Sequence, residues 1–370
     1  MTFTQRAVVA LLVLVLAVAG VWAVVSLVGR PASGPATTTA TAVAEATQPI
    51  APTAAPAPPM AQRTAVRTPA TGPGVVGVFV EPDDGRAPIL NELADARHSI
   101  DLEVYLLSDS QIIAALEQAQ ARGVRVRVIL EQHPYGGAGN QPQIFQQLQQ
   151  AGVAVRWSNP TFKLTHIKTF VIDNRTAIIM TLNLTKTSFK GDREFGAITT
   201  RPADVAQAAA IFEADWNRTA EPPPGPLVVS PTNSREVLLG LVRGAKTSID
   251  VYAEVMQDNQ IVGALSEAAR RGVHVRLIMT KDASDTVGIQ KRAQLAKAGV
   301  DVRLSRGVYI HAKMLLVDGQ RAYIGSENFS AASLDFNREL GIILTQPANL
   351  ARLSRTFDGD FAKGTKEAAS

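Results

Sequence analysis

The sequence predicts an α/β protein of two similar lobes, each a mixed sheet flanked by helices. Three observations carry this expectation. Strand and helix patterns alternate along residues 76–370. The alternation runs twice: Ser99-Ile100-Asp101 returns as Ser248-Ile249-Asp250, and Gly123–Arg127 returns as Gly272–Arg276, 149 residues later in each case (248 − 99, 272 − 123). A proline-rich joint, EPPPGP at 221–226, divides the copies into a first lobe at 76–220 and a second at 227–370.

The chain opens with a short tail, residues 1–6. Ala7 to Gly29 then runs 23 residues without a charge, flanked by Arg6 and Arg30. At ~1.5 Å per residue such a helix crosses a hydrocarbon core of ~30 Å. It reads as an uncleaved transmembrane anchor with the remainder outside the cytoplasm. The rival is a cleaved signal peptide, with Ala42-Val43-Ala44 as the small-residue site. Residues 31–75 are rich in Ala, Thr and Pro, with nine prolines, and read as a disordered spacer.

Each lobe then follows one plan. A strand beginning at Ser99 or Ser248 leads to a helix, Gln111–Arg122 or Gln260–Arg271, with Ala and Leu at helical spacing. A second strand leads to helices at Gln143–Ala151 and Ile289–Ala298, then to short strands at Val153–Trp157 and Val300–Leu304. Helices at Pro202–Arg218 and Ala348–Lys363 close the halves.

Between these elements lies a hairpin that also occurs twice: HIKTFVIDNRTAIIMTLNLT at His166–Thr185 and HAKMLLVDGQRAYIGSENFS at His311–Ser330. His166 and Lys168, or His311 and Lys313, are two apart and share one strand face. Asp173-Asn174 and Asp318-Gly319 form tight turns. The return strands deliver Thr181, Asn183 and Thr185, or Ser326, Asn328 and Ser330, at alternating positions. An imidazole, an ammonium, an amide and hydroxyls suit a tetrahedral phosphate. The His-to-Asn spacing is 17 in both copies (183 − 166, 328 − 311), and the spacing to Glu194 or Glu339 is 28 in both (194 − 166, 339 − 311).

At these residues the chain resembles the phospholipase D superfamily, whose signature H-x-K-x4-D with a downstream G-S-x-N occurs twice per active site. The resemblance covers residues 76–363 and implies that the lobes bring both hairpins to one shared cleft. It implies metal-free phosphodiester chemistry with no cofactor. One imidazole, His166, attacks phosphorus to form a phosphohistidine; the other, His311, protonates the leaving oxygen and then activates water or an alcohol. Lys168 and Lys313 neutralise the phosphate oxygens, with Asn183, Asn328, Thr181 and Ser326 as further donors. Glu194 and Glu339 match the acidic residues that hold the second ring nitrogens, the bland alternative being salt bridges to Arg193 and Arg338. Asp173 and Asp318 fall at odd spacing from the histidines and read as structural. The first copy departs from the pattern: Met180 stands where the second has Gly325, which is expected to narrow the pocket.

Tyr105 and Glu254 are equivalent positions and either line the cleft or serve their strands locally. The glycine-rich Glu131–Asn140 segment, with His133, either borders the cleft as a lid or is an ordinary loop. His98 and His274 read as structural.

The chain has no cysteine, which excludes disulfides and thiol chemistry. Its net charge is +4, but residues 1–75 hold four Arg against Glu45. The body therefore carries 33 basic (37 − 4) and 32 acidic (33 − 1) residues, little support for a dedicated nucleic-acid binder. The leading expectation is a monomeric, membrane-anchored phosphodiesterase that cleaves a phospholipid headgroup ester, by hydrolysis or phosphatidyl transfer. The alternatives are an extracytoplasmic nuclease and a cardiolipin synthase-type transferase, set behind because such transferases usually carry more than one membrane segment. A non-catalytic tethered module is opposed by retention of every reactive residue in both halves.

Overall fold

The computed structural model describes Gly74, residues 76–135 and residues 140–367, all within one compact unit, Arg63–Ser370. The expected tail, membrane helix and spacer lie outside the described residues, apart from Gly74. Among the described residues no helix is long and apolar enough to cross a membrane.

The first repeat supplies β1 (Val76–Glu81), β2 (Ser99–Val104), β3 (Arg125–Leu130), β4 (Ala154–Trp157), β5 (Lys168–Ile172), β6 (Thr176–Met180) and β7 (Asp192–Thr199), in the order β1-β7-β6-β5-β2-β3-β4. Strands β2, β3 and β4 run parallel, and the other pairs are antiparallel. Its helices are α1 (Ala87–Asp95), α2 (Ser110–Ala121), α3 (Gln141–Gln150) and α4 (Pro202–Asn217). The second repeat has β8 (Val228–Ser230), β9 (Ser248–Ala253), β10 (His274–Met279), β11 (Asp301–Leu304), β12 (Tyr309–Ile310), β13 (Lys313–Val317), β14 (Arg321–Gly325), β15 (Glu339–Leu344) and β16 (Thr365–Lys366). Its sheet order is β16-β11-β10-β9-β13-β14-β15-β8, while β12 pairs instead with β7 of the first sheet. Its helices are α5 (Ser234–Gly244), α6 (Asn259–Arg270), α7 (Thr286–Lys297), α8 (Ala331–Asp335) and α9 (Pro347–Lys363).

Strands β2, β5 and β13 are buried along their whole length because both faces are covered. The inner faces of the two sheets share one core. Val171, Ala177, Ile179 and Phe195 of the first pack with Met314, Leu316, Ile324 and Leu340 of the second. Helices α4 and α9 flank this core through Ile211 and through Leu353 and Phe357. Each outer face has its own core, under α1 to α3 in the first lobe and under α5 to α7 in the second.

Both hairpin turns have positive φ at the two central residues, 53° and 48° at Asp173-Asn174 and 54° and 61° at Asp318-Gly319. That is the backbone a two-residue hairpin requires, and it suits Asp, Asn and Gly. Strands β1, β7 and β15, together with β12, go beyond the elements read from the sequence.

Candidate active site

Each H-x-K segment enters its own sheet only after touching the other lobe. Before His311, β12 pairs in parallel with β7, Ile310 opposite Arg193, and the Ala312 amide donates to the Arg193 carbonyl at 3.0 Å. Before His166, Thr165 bridges Arg338 in parallel, and the His166 amide donates to the Arg338 carbonyl at 2.9 Å. The residues after Arg193 and Arg338 are Glu194 and Glu339. The glutamates are therefore exchanged between lobes. His166 Nδ1 lies 2.8 Å from Glu339 Oε2, in hydrogen-bond alignment. His311 Nδ1 lies 2.7 Å from Glu194 Oε1, an ion-pair approach without that alignment. Both carboxylates are fully buried.

The lysines begin β5 and β13 and are also fully buried. The Lys168 ammonium donates to the carbonyl of His166, and its Nζ lies 5.1 Å from the centre of the Tyr105 ring. That ring meets His166 edge-on, with centroids 4.6 Å apart. Lys313 Nζ donates to the His311 carbonyl at 2.6 Å and to Glu254 Oε2 at 2.6 Å. Asn328 Nδ2 donates to the same Glu254 oxygen at 3.1 Å, while Asn183 makes no side-chain hydrogen bond among the described residues. Tyr105 and Glu254 thus line the site, the cleft alternative of the two read from the sequence.

The hydroxyls are placed differently from the expectation. Thr181 Oγ1 donates to Glu194 Oε2 at 2.6 Å and accepts from the Phe195 amide at 2.9 Å, so it holds Glu194 rather than facing a phosphate. Ser326 is fully buried and accepts from the Leu340 amide at 3.1 Å. Thr185 and Ser330 serve local turns, through Ser188 and the Ser333 amide. The reason is that β6 and β14 end at Met180 and Gly325, so strand alternation does not continue past them. Met180 does not narrow the cleft: it is buried in the outer core of the first lobe. In the second lobe Tyr323 and Glu327 fill the corresponding space, and a Cβ on Gly325 would lie 2.3 Å from the Tyr323 hydroxyl.

Asp173 accepts from the amides of Arg97, His98 and Ser99 at 2.7–2.9 Å, and Asp318 from those of Lys246, Thr247 and Ser248 at 2.7–3.1 Å. Both face away from the site. His98 and His274 are exposed, as is His133. The loop carrying His133 nevertheless abuts the site, since the Tyr135 amide donates to the Tyr105 hydroxyl at 2.6 Å.

The charges are strongly coupled. Burial lowers the pKa of His166 against the pull of Glu339, so the ring favours its neutral form. Burial, opposed by Glu339 and reinforced by Lys313, brings the Lys168 ammonium down to about 7. For Glu254, burial is outweighed by His311 and Lys313, which hold its carboxyl well below the usual range. Glu339 is likewise lowered, His166 outweighing burial.

Two residues that the sequence reading passed over complete the crosswise clamp. Arg193 binds Asp360 of α9 at 2.6 Å, and Arg338 binds Asp215 of α4 at 2.7 Å, so neither arginine neutralises its neighbouring glutamate. Their signal was present: Asp215 and Asp360 stand 145 apart (360 − 215), as do His166 and His311 (311 − 166).

The family described as "Cardiolipin synthase, PLD-like domain" matches this chain twice, over residues 89–216 and 238–361. The cardiolipin synthase of Geobacillus thermodenitrificans is 26% identical over 330 residues, covering 77% of this chain and 65% of its own length. Cardiolipin synthase B of Shigella flexneri is 26% identical over 303 residues, covering 69% and 73%. This chain thus spans slightly less than two thirds of the Geobacillus protein. Among solved structures, the phosphatidylserine synthase of Haemophilus influenzae superposes with a TM-score of 0.63 at 12% identity, covering 79% of this chain and 87% of that one. The polyphosphate kinase of Porphyromonas gingivalis superposes at 0.65 with 18% identity, covering 80% and 48%, and both likenesses concern the fold. Two matched domains that together span more than half of the chain, each carrying one H-x-K half of a shared site, establish that it belongs to the phospholipase D superfamily, in the family of cardiolipin synthase-type PLD-like domains.

Proposed function

We propose that the protein is a phosphatidyltransferase of cardiolipin synthase type, moving a phosphatidyl group from one phospholipid to an alcohol-bearing acceptor. The observation that carries this reading is the pair of imidazoles, each held at Nδ1 by the other lobe's glutamate, with a buried lysine beside each. His166, favoured as neutral imidazole, attacks phosphorus through Nε2 and forms a P–N bond as the P–O bond to the headgroup breaks. His311 delivers the proton to that leaving oxygen. It then takes a proton from the acceptor hydroxyl, whose oxygen attacks phosphorus and releases His166. Lys168 and Lys313 offset charge on the non-bridging oxygens. Asn183 and Asn328 supply further donors.

The choice of a lipid over nucleic acid is supported by the surface at the catalytic end. Among the described residues the exposed large hydrophobics are Tyr135, Val287, Ile289, Tyr309 and Phe336. They follow β3 and β10 or immediately precede His311 and Glu339, on segments at the end where the site opens. Such a rim, with two aliphatic side chains among its aromatics and no added positive charge, suits contact with a lipid surface. The family match and its cardiolipin synthase relatives favour transfer over hydrolysis. The extracytoplasmic tether expected from residues 7–29 is part of the same proposal.

The test is the full-length protein on phosphatidylglycerol vesicles, with plasmid DNA assayed in parallel. Cardiolipin and free glycerol should form, and added ethanol should divert product to phosphatidylethanol. Phosphatidic acid as the sole lipid product would refute transfer. Plasmid nicking without lipid turnover would refute the lipid reading.

A further inference from the structure

The two halves of the site are not equivalent, and the difference lies at one pair of positions. In the first half, Tyr105 is neutral, and its hydroxyl is taken by the Tyr135 amide. Lys168 keeps two ammonium protons without a protein acceptor among the described residues, and Asn183 makes no side-chain hydrogen bond. In the second half, Glu254 stands where Tyr105 stands in the first. Its Oε2 takes Lys313 at 2.6 Å and Asn328 Nδ2 at 3.1 Å, and its Oε1 lies 3.5 Å from His311 Nε2. These three groups are the donors that a substrate phosphate would use. The Glu254 side chain is 19% exposed, against 12% for His311 and 0% for Lys313, so it lies on the more open side of this half-site.

We infer that Glu254 is a specificity-determining residue: it fills the anion position of the second half-site and so makes the cleft select singly charged phosphodiesters over doubly charged phosphate and phosphomonoesters. The inference rests on the reading of the cleft as a phosphodiester site but not on the lipid being its substrate. A phosphate oxygen enters the second half by sharing or displacing the Glu254 carboxylate. A dianion meets twice the repulsion that a diester monoanion meets. Without Glu254, the two buried lysines would attract the dianion more strongly than the diester, because Coulomb attraction scales with charge. A phosphomonoester product, such as the one hydrolysis would leave, is thereby held weakly. The lobe-1 equivalent imposes no such restriction, so the phosphate is first received by Lys168 and Asn183.

The experiment measures binding of dimethyl phosphate, methyl phosphate and inorganic phosphate to the full-length protein by ³¹P line broadening and calorimetry. It is run at pH 7, where methyl phosphate is already largely a dianion and Lys168, with its pKa at about 7, still carries charge. Wild type should bind dimethyl phosphate more tightly than methyl phosphate. Glu254→Gln and Glu254→Tyr, the latter copying the first lobe, should bind methyl phosphate about 10- to 100-fold more tightly than wild type and invert the order, the scale expected for removing one nearby charge. If wild type already prefers the dianions, or if folded variants show no gain for them, the inference is overturned. The wild-type comparison decides the question even if the variants fail to fold. No lipid and no turnover enter the measurement, so a failure of the lipid reading would leave this result readable.

Discussion

Changing Glu339 to Gln should disable His166, a residue 173 positions away in sequence, and leave His311 able to act. Glu339 is fully buried, and its Oε1 accepts from the Ser333 hydroxyl and from Asn337 Nδ2 at 3.1 Å. In a glutamine the carbonyl oxygen must stay with those two donors. Its NH2 group then faces His166 Nδ1, which becomes an acceptor. The ring proton moves to Nε2, and the nitrogen that must attack phosphorus is blocked. Restoring the reactive tautomer means giving up about three hydrogen bonds at ~1 kcal/mol each. A penalty of about 3–4 kcal/mol corresponds to a roughly 10²- to 10³-fold slower covalent step. Glu194→Gln acts on the other ring by the same logic, since its Oε2 must stay with Thr181. The assay is rapid quench with a phosphatidyl p-nitrophenyl ester, whose leaving group needs no proton, followed by mapping of acid-labile, base-stable label. Glu339→Gln should form labelled His166 slowly, whereas Glu194→Gln should form it readily and release it slowly. The reverse pattern would refute the crosswise assignment.

Two further outcomes follow from the charges. Lys168 must be an ammonium to hold phosphate, and its pKa sits at about 7, so kcat/KM should fall as pH rises through that value. Lys168→Arg, which stays protonated, should remove this limb from the pH–rate profile, and a wild-type profile flat to pH ~9 would contradict the assignment. Asp318→Asn, which keeps the positive φ of the turn, should lower stability by about 1 kcal/mol at neutral pH, because three backbone amides lose a charged acceptor. Burial is outweighed by those amides, which hold Asp318 at about 2, below the unfolded value of ~3.9. Its contribution is thus present above pH ~4 and lost as pH falls toward about 2, so denaturant midpoints of wild type and variant should converge there.

The sequence by itself determined the parts that depend on local pattern. Periodicity placed α2, α3, α4, α6, α7 and α9, as α2 at Ser110–Ala121 against the expected Gln111–Arg122 shows, whereas α1, α5 and α8 went unread. Turn chemistry located both hairpins, and duplication in one frame singled out His166, Lys168, Asn183 and Glu194 with their counterparts. The odd spacing of Asp173 and Asp318 from the histidines also suffices to put them behind the site.

Only the tertiary structure decided which glutamate serves which histidine. A constant spacing of 28 carries no record of the partner, because the pairing depends on parallel bridges between Thr165 and Arg338 and between Ile310 and Arg193. Such bridges join backbone to backbone across more than a hundred residues and leave no side-chain signal. The same holds for Thr181, whose alternation ceases where β6 ends, and for Met180, whose place in the outer core of the first lobe is set by side chains far from it in sequence, such as Phe79 and Leu102. Glu254 was visible as a position, but its occupation of the phosphate donors was not. That depends on the carboxylate lying within reach of Lys313 and Asn328, 59 and 74 residues away, which only the folded chain brings together.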